Sequence, residues 1–384
     1  MTSGETSNDD DELKTFESGG SIEVPVSQIE SSLQKLWRKA AGVAGSPSAV
    51  TRACLWNLVV RVSPELDFAG AKKLVDEVAA QIPARVIVLR PSEGAADGSN
   101  KIRAWVEANW RGKGGGQRPS GSDEVTLMAE GSARDRLPSL VRSLITPDAP
   151  SAMLWMGKPE EGAPARALVR EIDRLIVDTR KLSAESDMIS IHDLSRGNDG
   201  LELADLAWIG FSPLRGLTAS LFDSIRAPGS TDLISDPGDL EKIERVEVIS
   251  GVRGNQARSL LFLGWLSDCL GWSNFARATS VDGTRVWTAK KPSGDSVKLE
   301  IRTLGAAGAH QHGVVGLTLE AGDKRWSLER DARKITVHGS GLPPRVQPSR
   351  SHSDVDLVVA ALGGRGRDPL YRQALAKAVE LIGS

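Results

Sequence analysis

The sequence predicts a mixed α/β protein (α+β in its second half) of two domains, in which an N-terminal βαβ-type layer structure precedes a helical segment and an antiparallel, hairpin-rich sheet. Two observations carry this prediction. Apolar runs of strand length alternate with amphipathic helical segments up to about residue 195. A strongly apolar helical stretch then precedes at least four strand-like runs separated by tight turns. The length of 384 residues suggests two or three domains at about 150 residues each.

The first 20 residues are predicted to be a disordered tail. They hold six Asp and Glu residues against one Lys, and their many Ser, Thr and Gly residues cannot bury enough apolar surface to fold. Order is expected from about Ile22, where Pro25 and Ser27 precede a helix that contains Ile29 and Trp37. The predicted parts are a disordered acidic tail over 1–20, an N-terminal α/β domain over 21–195 and a C-terminal α+β domain over 196–384.

Strands and helices alternate along the predicted N-terminal domain. The segments 53–62, 69–81 and 85–89 read as strand, helix and strand, which together are typical of a βαβ unit. Residues 102–110 alternate apolar and polar side chains with a period of two, which predicts a further strand. The other predicted elements are strands at 124–129, 152–156 and 174–178 and helices at 137–144 and 165–173.

The predicted C-terminal domain begins with helices and ends in a meander. The turns Ser293-Gly294-Asp295 and Ala321-Gly322-Asp323 are typical of β-hairpins and join the strand-like runs in antiparallel order. The predicted helices are 201–208, 214–225, 256–270 and about 370–382, and the predicted strands are 246–250, 285–290, 297–303, 314–320, 325–330 and 334–338.

Composition excludes several classes of protein. A net charge of −2 argues against a polycation that grips nucleic acid by charge alone. The longest dense apolar stretch, 260–266, is far shorter than the roughly 20 residues of a membrane span. No secretory signal opens the sequence. The two distant cysteines, Cys54 and Cys269, fit a reducing cytoplasm, and their apolar surroundings predict buried, inert thiols.

The sequence lacks the common cofactor, metal and nucleophile motifs. The glycines at 112–116 come closest to a dinucleotide fingerprint, but Gln117 occupies the next required glycine position. His310 and His312 have no Cys or carboxylate within a few residues, which is too few ligands for zinc. No Gly-x-Ser-x-Gly elbow occurs. We therefore predict no cofactor, no metal and no catalytic residue.

The aromatic balance is unusual, with ten Trp, six Phe and one Tyr. Trp, Pro and Arg recur in polar turns, where Pro fixes the turn and Trp and Arg are the side chains most enriched at binding hot spots. We therefore predict partner binding by Trp155, Trp208, Pro213 and Arg215. The alternative is that these turns are corners of the fold whose indoles are buried.

Ten short segments stand out between about residues 22 and 272. They are VPVSQIE at 24–30, RVIV at 85–88, LPSLV at 137–141, PDAP at 147–150, WMG at 155–157, DRLIVD at 173–178, DLAW at 205–208, PLR at 213–215, LGWL at 263–266 and LGW at 270–272. In order and spacing these segments resemble the OpcA family of glucose-6-phosphate dehydrogenase assembly proteins.

Two departures from the family matter. The family often has Trp where this chain has Leu214, so a contact made by that Trp would be lost. Photosynthetic members resemble redox-controlled proteins, but Cys54 and Cys269 offer no close pair.

The resemblance implies a non-catalytic protein that binds glucose-6-phosphate dehydrogenase and promotes its active oligomer or activates it allosterically. The implied outcome is NADPH supply through the oxidative pentose phosphate pathway, with no nucleic acid or membrane partner. The residues alone leave two alternatives open. One is a sugar-phosphate-binding α/β enzyme or sensor that uses arginines. The other is a nucleic-acid adaptor that uses a basic C-terminal segment, although Glu329 and Asp331 interrupt it. The arginines of the first alternative are Arg85, Arg90, Arg134 and Arg136, and the basic residues of the second are Arg325, Arg330, Arg333, Lys334, Arg345 and Arg350.

Overall fold

A computed structural model describes most of the chain in two units. Unit 1 comprises residues 1–154 and 171–173, and unit 2 comprises 155–170 and 174–384. Residues 1–18 of the predicted tail, the segment 112–119 and both His310 and His312 lie outside the described residues. The division predicted at residue 195 stays a prediction. The described residues are 19–43, 51–52, 54–91, 100–111, 120–182, 184–223, 225–226, 233–251, 256–304, 313–341, 343–364 and 368–384.

Unit 1 is a layered α/β structure. Its helices are α1 (Ile29–Val43), α2 (Phe68–Ala79) and α3 (Leu137–Leu144). Its strands are β1 (Gly19–Val24), β2 (Thr51–Arg52), β3 (Trp56–Val62), β4 (Ala84–Pro91), β5 (Ile102–Arg111), β6 (Ser120–Ala129) and β7 (Ser151–Met156), the last two residues of β7 being in unit 2.

The strands of unit 1 form a mixed sheet in the order β1-β5-β6-β4-β3-β7, with β2 paired to β6. The predicted βαβ unit is confirmed, because β3 and β4 pair in parallel, with Leu58 opposite Val86, and α2 connects them. Asp67 begins α2 by accepting hydrogen bonds from the backbone N–H groups of Ala69 and Gly70. The apolar residues of β3 and β4 are buried, as expected for a parallel sheet covered on both faces.

Unit 2 combines helices with a second sheet. Its helices are α4 (Ala163–Val169), α5 (Ser186–Ser195), α6 (Leu206–Gly210), α7 (Ser212–Ala219), α8 (Ala257–Cys269), α9 (Asp354–Gly363) and α10 (Pro369–Gly383). Its strands are β8 (Arg174–Val177), β9 (Glu202–Asp205), β10 (Ile225–Arg226), β11 (Leu233–Ser235), β12 (Arg245–Ser250), β13 (Ser273–Val281), β14 (Thr284–Lys290), β15 (Ser296–Thr303), β16 (Val314–Ala321), β17 (Lys324–Arg330), β18 (Lys334–His338) and β19 (Arg345–Pro348).

The larger sheet of unit 2 confirms the predicted hairpin-rich part of the chain. Its order is β13-β14-β15-β12-β16-β17-β18-β19. Neighbouring strands pair antiparallel, except that β12 pairs in parallel with β15, where Val246 lies opposite Leu299. Strand β12 is therefore inserted between β15 and β16, so the sheet is not a pure meander.

Several predicted elements differ from the structure. The helix predicted at 201–208 is wrong, because Glu202–Asp205 is strand β9, paired in parallel with β8, and only then does α6 begin. The helix predicted at 214–225 ends at Ala219. The prediction of two buried thiols is also wrong, since Cys54 is half-buried and Cys269 is exposed. Cys269 is the last residue of α8, where an otherwise apolar helix reaches the surface.

Helix α8 packs closely against α10 at a glycine. Residues 259–267 of α8 are all buried, and both helices belong to unit 2. A Cβ atom added to Gly264 would overlap the carbonyl oxygen of Ala374 and lie 2.9 Å from the backbone nitrogen of Ala378. Backbone atoms cannot move aside as a flexible side chain can, so Gly264 sets how closely the two helices approach.

We expect Gly264→Ala to lower the free energy of unfolding by about 1–3 kcal/mol, because the added methyl group overpacks the helix contact. Gly216→Ala is the matched control, since Gly216 is also helical and has nothing within 4 Å of a Cβ. That variant should gain about 0.5–1 kcal/mol from alanine's helix preference. Urea unfolding measures both. Equal effects of the two substitutions would contradict the close-packing argument.

A buried carboxylate in unit 1 is coupled to Lys72. Glu124 on β6 is 4% exposed, and its Oε2 lies 3.0 Å from Nζ of Lys72, which also pairs with Asp76 and Glu107. Burial raises the pKa of Glu124 to about 7, although the charge of Lys72 opposes this rise. At a pH between the folded and unfolded pKa values, Glu124 is therefore protonated in folded unit 1 and ionised in the unfolded chain.

Glu124 should make the stability of the protein fall as pH rises. The folded pKa exceeds the unfolded value, so the free energy of unfolding decreases by up to about 4 kcal/mol between about pH 4.3 and pH 7. Above about pH 7 it is constant. In Glu124→Gln this decrease should be absent when urea unfolding is compared at about pH 5 and about pH 8. Glu77→Gln, at an exposed position of α2, should keep it. A decrease that persists unchanged in Glu124→Gln would refute the assignment.

Candidate functional site

Three of the four predicted partner-binding residues lie at one corner of unit 2, formed by α6 and α7. Asp205 begins α6 by accepting a hydrogen bond from the backbone N–H of Ala207 at 2.9 Å. Phe211 separates the two helices, and Pro213 lies in the first turn of α7, where a missing N–H costs no hydrogen bond. The local sequence therefore builds a fixed turn between two short helices, which we call the α6–α7 corner.

Trp208 is the buried anchor of this corner. Its side chain is 2% exposed. Its Nε1 donates to Oδ2 of Asp368 at 2.6 Å, and its ring packs edge-on against Phe211 and tilted against Tyr371. A buried indole whose N–H is satisfied is a stable core residue. Trp208 therefore fixes the corner from inside and does not face solvent.

Arg215 lies across the face of the same indole. Its guanidinium carbon is 3.4 Å from the centroid of the Trp208 ring, and its Nη1 donates to the Trp208 carbonyl oxygen at 2.7 Å. Burial lowers the pKa of Arg215 to about 10, while the charge of Asp368 opposes this. The side chain stays charged at neutral pH and stacks as a cation on the ring.

The opposite face of the corner is open to solvent. Pro213 is exposed, as are Ser212 and Gly216 on the same helix. Leu214 is 2% exposed and points into unit 2. The corner thus combines a buried aromatic–cation core with an exposed helical face.

Trp155, the fourth predicted residue, is also buried. It is 2% exposed, and its Nε1 donates to the carbonyl oxygen of Lys158 at 3.1 Å. Of the four predicted residues, only Pro213 and part of Arg215 are therefore accessible on the surface of unit 2. A contact role for these residues stays a prediction, and the burial of both indoles agrees with the alternative reading of these turns as corners of the fold.

Asp205 stabilises the buried side of the corner. It is fully buried, and its carboxylate accepts hydrogen bonds from the backbone N–H and the hydroxyl of Thr179, at 3.1 and 2.7 Å. Burial, together with the charge of Asp178, raises the pKa of Asp205 to about 6, although these hydrogen bonds and that from Ala207 lower it. The sequence analysis did not select Asp205 as a site residue. The predicted helix over 201–208 concealed the indication, which is an Asp directly between strand β9 and helix α6.

A cavity of about 120 Å³ lies beside the corner in unit 2. Ala207, Gly210, Phe211 and Leu214 form its wall on the corner side. The basic side chains that line it come from four separate segments: the turn after β8, the first turn of α8, the end of β17 and the chain before α9. These residues are Arg180, Arg258, Arg330, Arg350 and His352.

The arginines of the cavity differ in their partners. Arg180 donates to Asp178 and to Asp354, at 2.7 Å in each pair. Arg330 Nε donates to the hydroxyl of Ser349 at 3.2 Å. Within the part of the chain that the structure describes, neither Arg258 nor Arg330 forms an ion pair. Burial lowers the pKa of both. For Arg258 the nearby charge of Arg180 adds to the effect, while the charges of Asp178 and Asp205 oppose it.

Gly313 makes room for the Arg258 guanidinium. Its φ is +84°, and a Cβ at this position would lie 2.5 Å from the guanidinium carbon of Arg258. Glycine tolerates this positive φ, and a side chain here would require the flexible end of Arg258 to shift. The Arg258 guanidinium therefore lies directly against the backbone of Gly313.

The four arginines of the sugar-phosphate alternative all lie in unit 1, and their surroundings differ from those of the arginines of this cavity. Arg85 is buried, pairs with Glu30 and lines a cavity of about 430 Å³ that Glu30 and Asp123 also line. Two carboxylates make that cavity a poor host for an anion. Arg90 lies over the ring of Phe68, with the guanidinium carbon 4.6 Å from the centroid. Neither Arg90, Arg134 nor Arg136 lines this cavity.

The described residues contain no group of three or more His, Cys, Asp or Glu side chains placed to hold a metal ion. Among the helices that the structure describes, none combines the length and the apolar character of a membrane span.

Models of one protein family match both halves of the chain. The model described as glucose-6-phosphate dehydrogenase subunit N-terminal domain matches residues 75–193, and its C-terminal counterpart matches 201–375. The chain is 29% identical over 214 residues to the OxPP cycle protein OpcA of Nostoc punctiforme, which covers 53% of this chain and 41% of that protein. The protein of the same name from Synechocystis is 28% identical over 214 residues, covering 55% and 41%. The chain thus spans less than half the length of these curated relatives.

Solved structures resemble the chain only distantly. An oxidoreductase from Sinorhizobium meliloti aligns with 86% of this chain and 89% of its own, with a TM-score of 0.44 and 10% identity. A likeness of this degree carries no conclusion about activity.

Arg215→Ala should lower the free energy of unfolding by about 1–3 kcal/mol, because it removes both the stacking on Trp208 and the hydrogen bond to its carbonyl. Arg215→Lys should recover only part of this loss, since an ammonium group lacks the planar guanidinium. Urea unfolding followed by Trp fluorescence measures the change. Arg277→Ala, at an exposed position of β13, is the control and should stay within about 0.5 kcal/mol of the parent. An Arg215→Ala variant as stable as this control would show that the stacking is energetically neutral.

Proposed function

Since the chain belongs to the OpcA family of glucose-6-phosphate dehydrogenase assembly proteins, we propose that it binds glucose-6-phosphate dehydrogenase and favours the active oligomer of that enzyme. The match of both family models, in order, across most of the chain is the observation that carries this proposal. In this role the chain performs no chemistry itself. It acts in the cytoplasm and raises NADPH supply through the oxidative pentose phosphate pathway.

Activation of this kind is a coupling free energy. The chain binds the active state of the enzyme better than the inactive state, by about 1–3 kcal/mol for an effect of roughly 5–150-fold. The enzyme must then bind this protein more tightly when it is in its active state. No group that touches substrate is needed on this chain.

The exposed face of the α6–α7 corner is the contact surface we assign to the enzyme. Pro213 and Gly216 are exposed on it, and the stack of Arg215 on Trp208 holds it from behind. A face that is already rigid loses little conformational freedom on binding, which favours affinity. In this arrangement Trp208 and Arg215 position the surface, and Pro213 lies on it.

The activity of glucose-6-phosphate dehydrogenase from the same organism tests the proposed function. We expect addition of this protein to lower KM, raise kcat or increase the size of the enzyme oligomer in a substrate titration. Co-elution from a sizing column is expected alongside. Unchanged kinetics together with separate elution would overturn the proposal.

Gly216→Arg tests the contact surface. Nothing lies within 4 Å of a Cβ at Gly216, so a long cationic side chain can project from the exposed face without disturbing the fold. We expect binding to the enzyme to weaken about tenfold or more without loss of stability, because the side chain blocks close approach. Gly383→Arg, also unobstructed and exposed at the end of α10, is the matched control. Equal binding by the two variants would move the contact surface away from the corner.

A further inference from the structure

The cavity beside the α6–α7 corner concentrates positive charge. Arg180, Arg258, Arg330 and Arg350 line it. Outside the lining lie Lys181 and the carboxylates of Asp178, Asp354 and Asp205, which act on these arginines. Lys181 pairs with Asp354 at 2.6 Å, so part of this charge is neutralised locally. Five cations against three carboxylates leave an excess of two positive charges.

Two of these cations are held there at a cost to stability. Arg258 and Arg330 are half-buried and, among the described residues, have no carboxylate partner. Removing a cation from water without pairing it is unfavourable, and a neighbouring cation adds repulsion. Gly313 nevertheless leaves space for the Arg258 guanidinium. A group of like charges is stabilised when an anion fills the space between them.

The size of the cavity limits the anion. Its volume of about 120 Å³ compares with roughly 10–15 Å³ needed for one water on the same measure. It therefore has room for one tetrahedral oxyanion. Arg330 and Arg350, first considered as contacts to a nucleic-acid backbone, instead line this single cavity.

We propose that this cavity binds the phosphate group of a small phosphorylated metabolite, that is, a phosphate monoester. Guanidinium groups match the oxygen geometry of phosphate and bind it with two parallel hydrogen bonds. Guanidinium groups supplied by several segments suit a tetrahedral group better than a planar carboxylate. A phosphate monoester carries close to two negative charges at neutral pH, which equals the excess positive charge of the site. This site does not depend on the identity of the protein partner.

Isothermal titration calorimetry at constant ionic strength tests the site on the full chain, with glycerol 3-phosphate, inorganic phosphate and chloride as probes. We expect saturable binding of glycerol 3-phosphate, at least as tight as that of inorganic phosphate, and none of chloride. Binding of inorganic phosphate without binding of the monoester would overturn the proposal, and so would absence of binding by both.

Arg258→Gln and Arg330→Gln locate the binding. Each should weaken binding of glycerol 3-phosphate about tenfold or more, because each removes one guanidinium from the phosphate. Both variants should also melt at a higher temperature than the parent in phosphate-free buffer, since an unpaired, half-buried cation is gone. Circular dichroism confirms that they are folded. A merely structural arginine would instead lower the melting temperature when it is removed.

Arg325→Gln is the matched control. Arg325 lies on the same strand as Arg330, but its side chain is 66% exposed and lies 3.9 Å from Glu320. The substitution changes the net charge of the protein by the same amount. We expect it to leave the affinity for glycerol 3-phosphate unchanged. An equal loss of affinity in Arg325→Gln and Arg330→Gln would show that binding reflects overall charge and would refute the cavity site.

Discussion

The buried carboxylate of Asp205 is the interaction on which the candidate surfaces of unit 2 depend. It accepts hydrogen bonds from Thr179 on one side and from Ala207 on the other. Thr179 precedes the cavity residue Arg180, and Ala207 precedes the corner residue Trp208. One side chain therefore fixes the turn after β8 and the start of α6 relative to each other. A fully buried carboxylate is costly, and its three hydrogen bonds compensate for the water that it has lost.

The short segment that forms the α6–α7 corner has one side toward the cavity and one side toward solvent. Toward the inside, Phe211 and Leu214 form a wall of the cavity, and Trp208 carries the stacked Arg215. Toward solvent, Pro213 is exposed. Such a segment has little freedom to adjust one side without moving the other, because packed interiors respond as a whole. Arg258 and Arg330 are half-buried and form no ion pair among the described residues. Binding sites are where proteins accept such unfavourable arrangements.

Local patterns in the sequence predict the elements but not the way in which they are brought together. The βαβ unit, helix α3 and helix α8 follow from period and length alone. The apolar spacing of segment 202–205 before Trp208 fits both the helical period of about 3.6 residues and the strand period of two. Only its pairing with β8 makes it a strand. The parallel insertion of β12 also depends on distant partners. Arg180 and Arg350 are 170 positions apart, and no spacing rule brings them to one cavity. Burial of Trp155 and Trp208 likewise depends on the tertiary fold.

A protein that acts only by binding a partner can be regulated by a second ligand when the partner surface and the ligand cavity share residues. If an anion enters the cavity, it lies against Phe211 and Leu214, in the segment whose outer face carries Pro213. If that contact changes the affinity for the protein partner, linkage requires that the partner change the affinity for the anion by the same factor. Such coupling needs no large movement, because tightly packed side chains shift together. The positively charged cavity and the rigid outer face of the corner thus lie on two sides of one short, tightly packed segment.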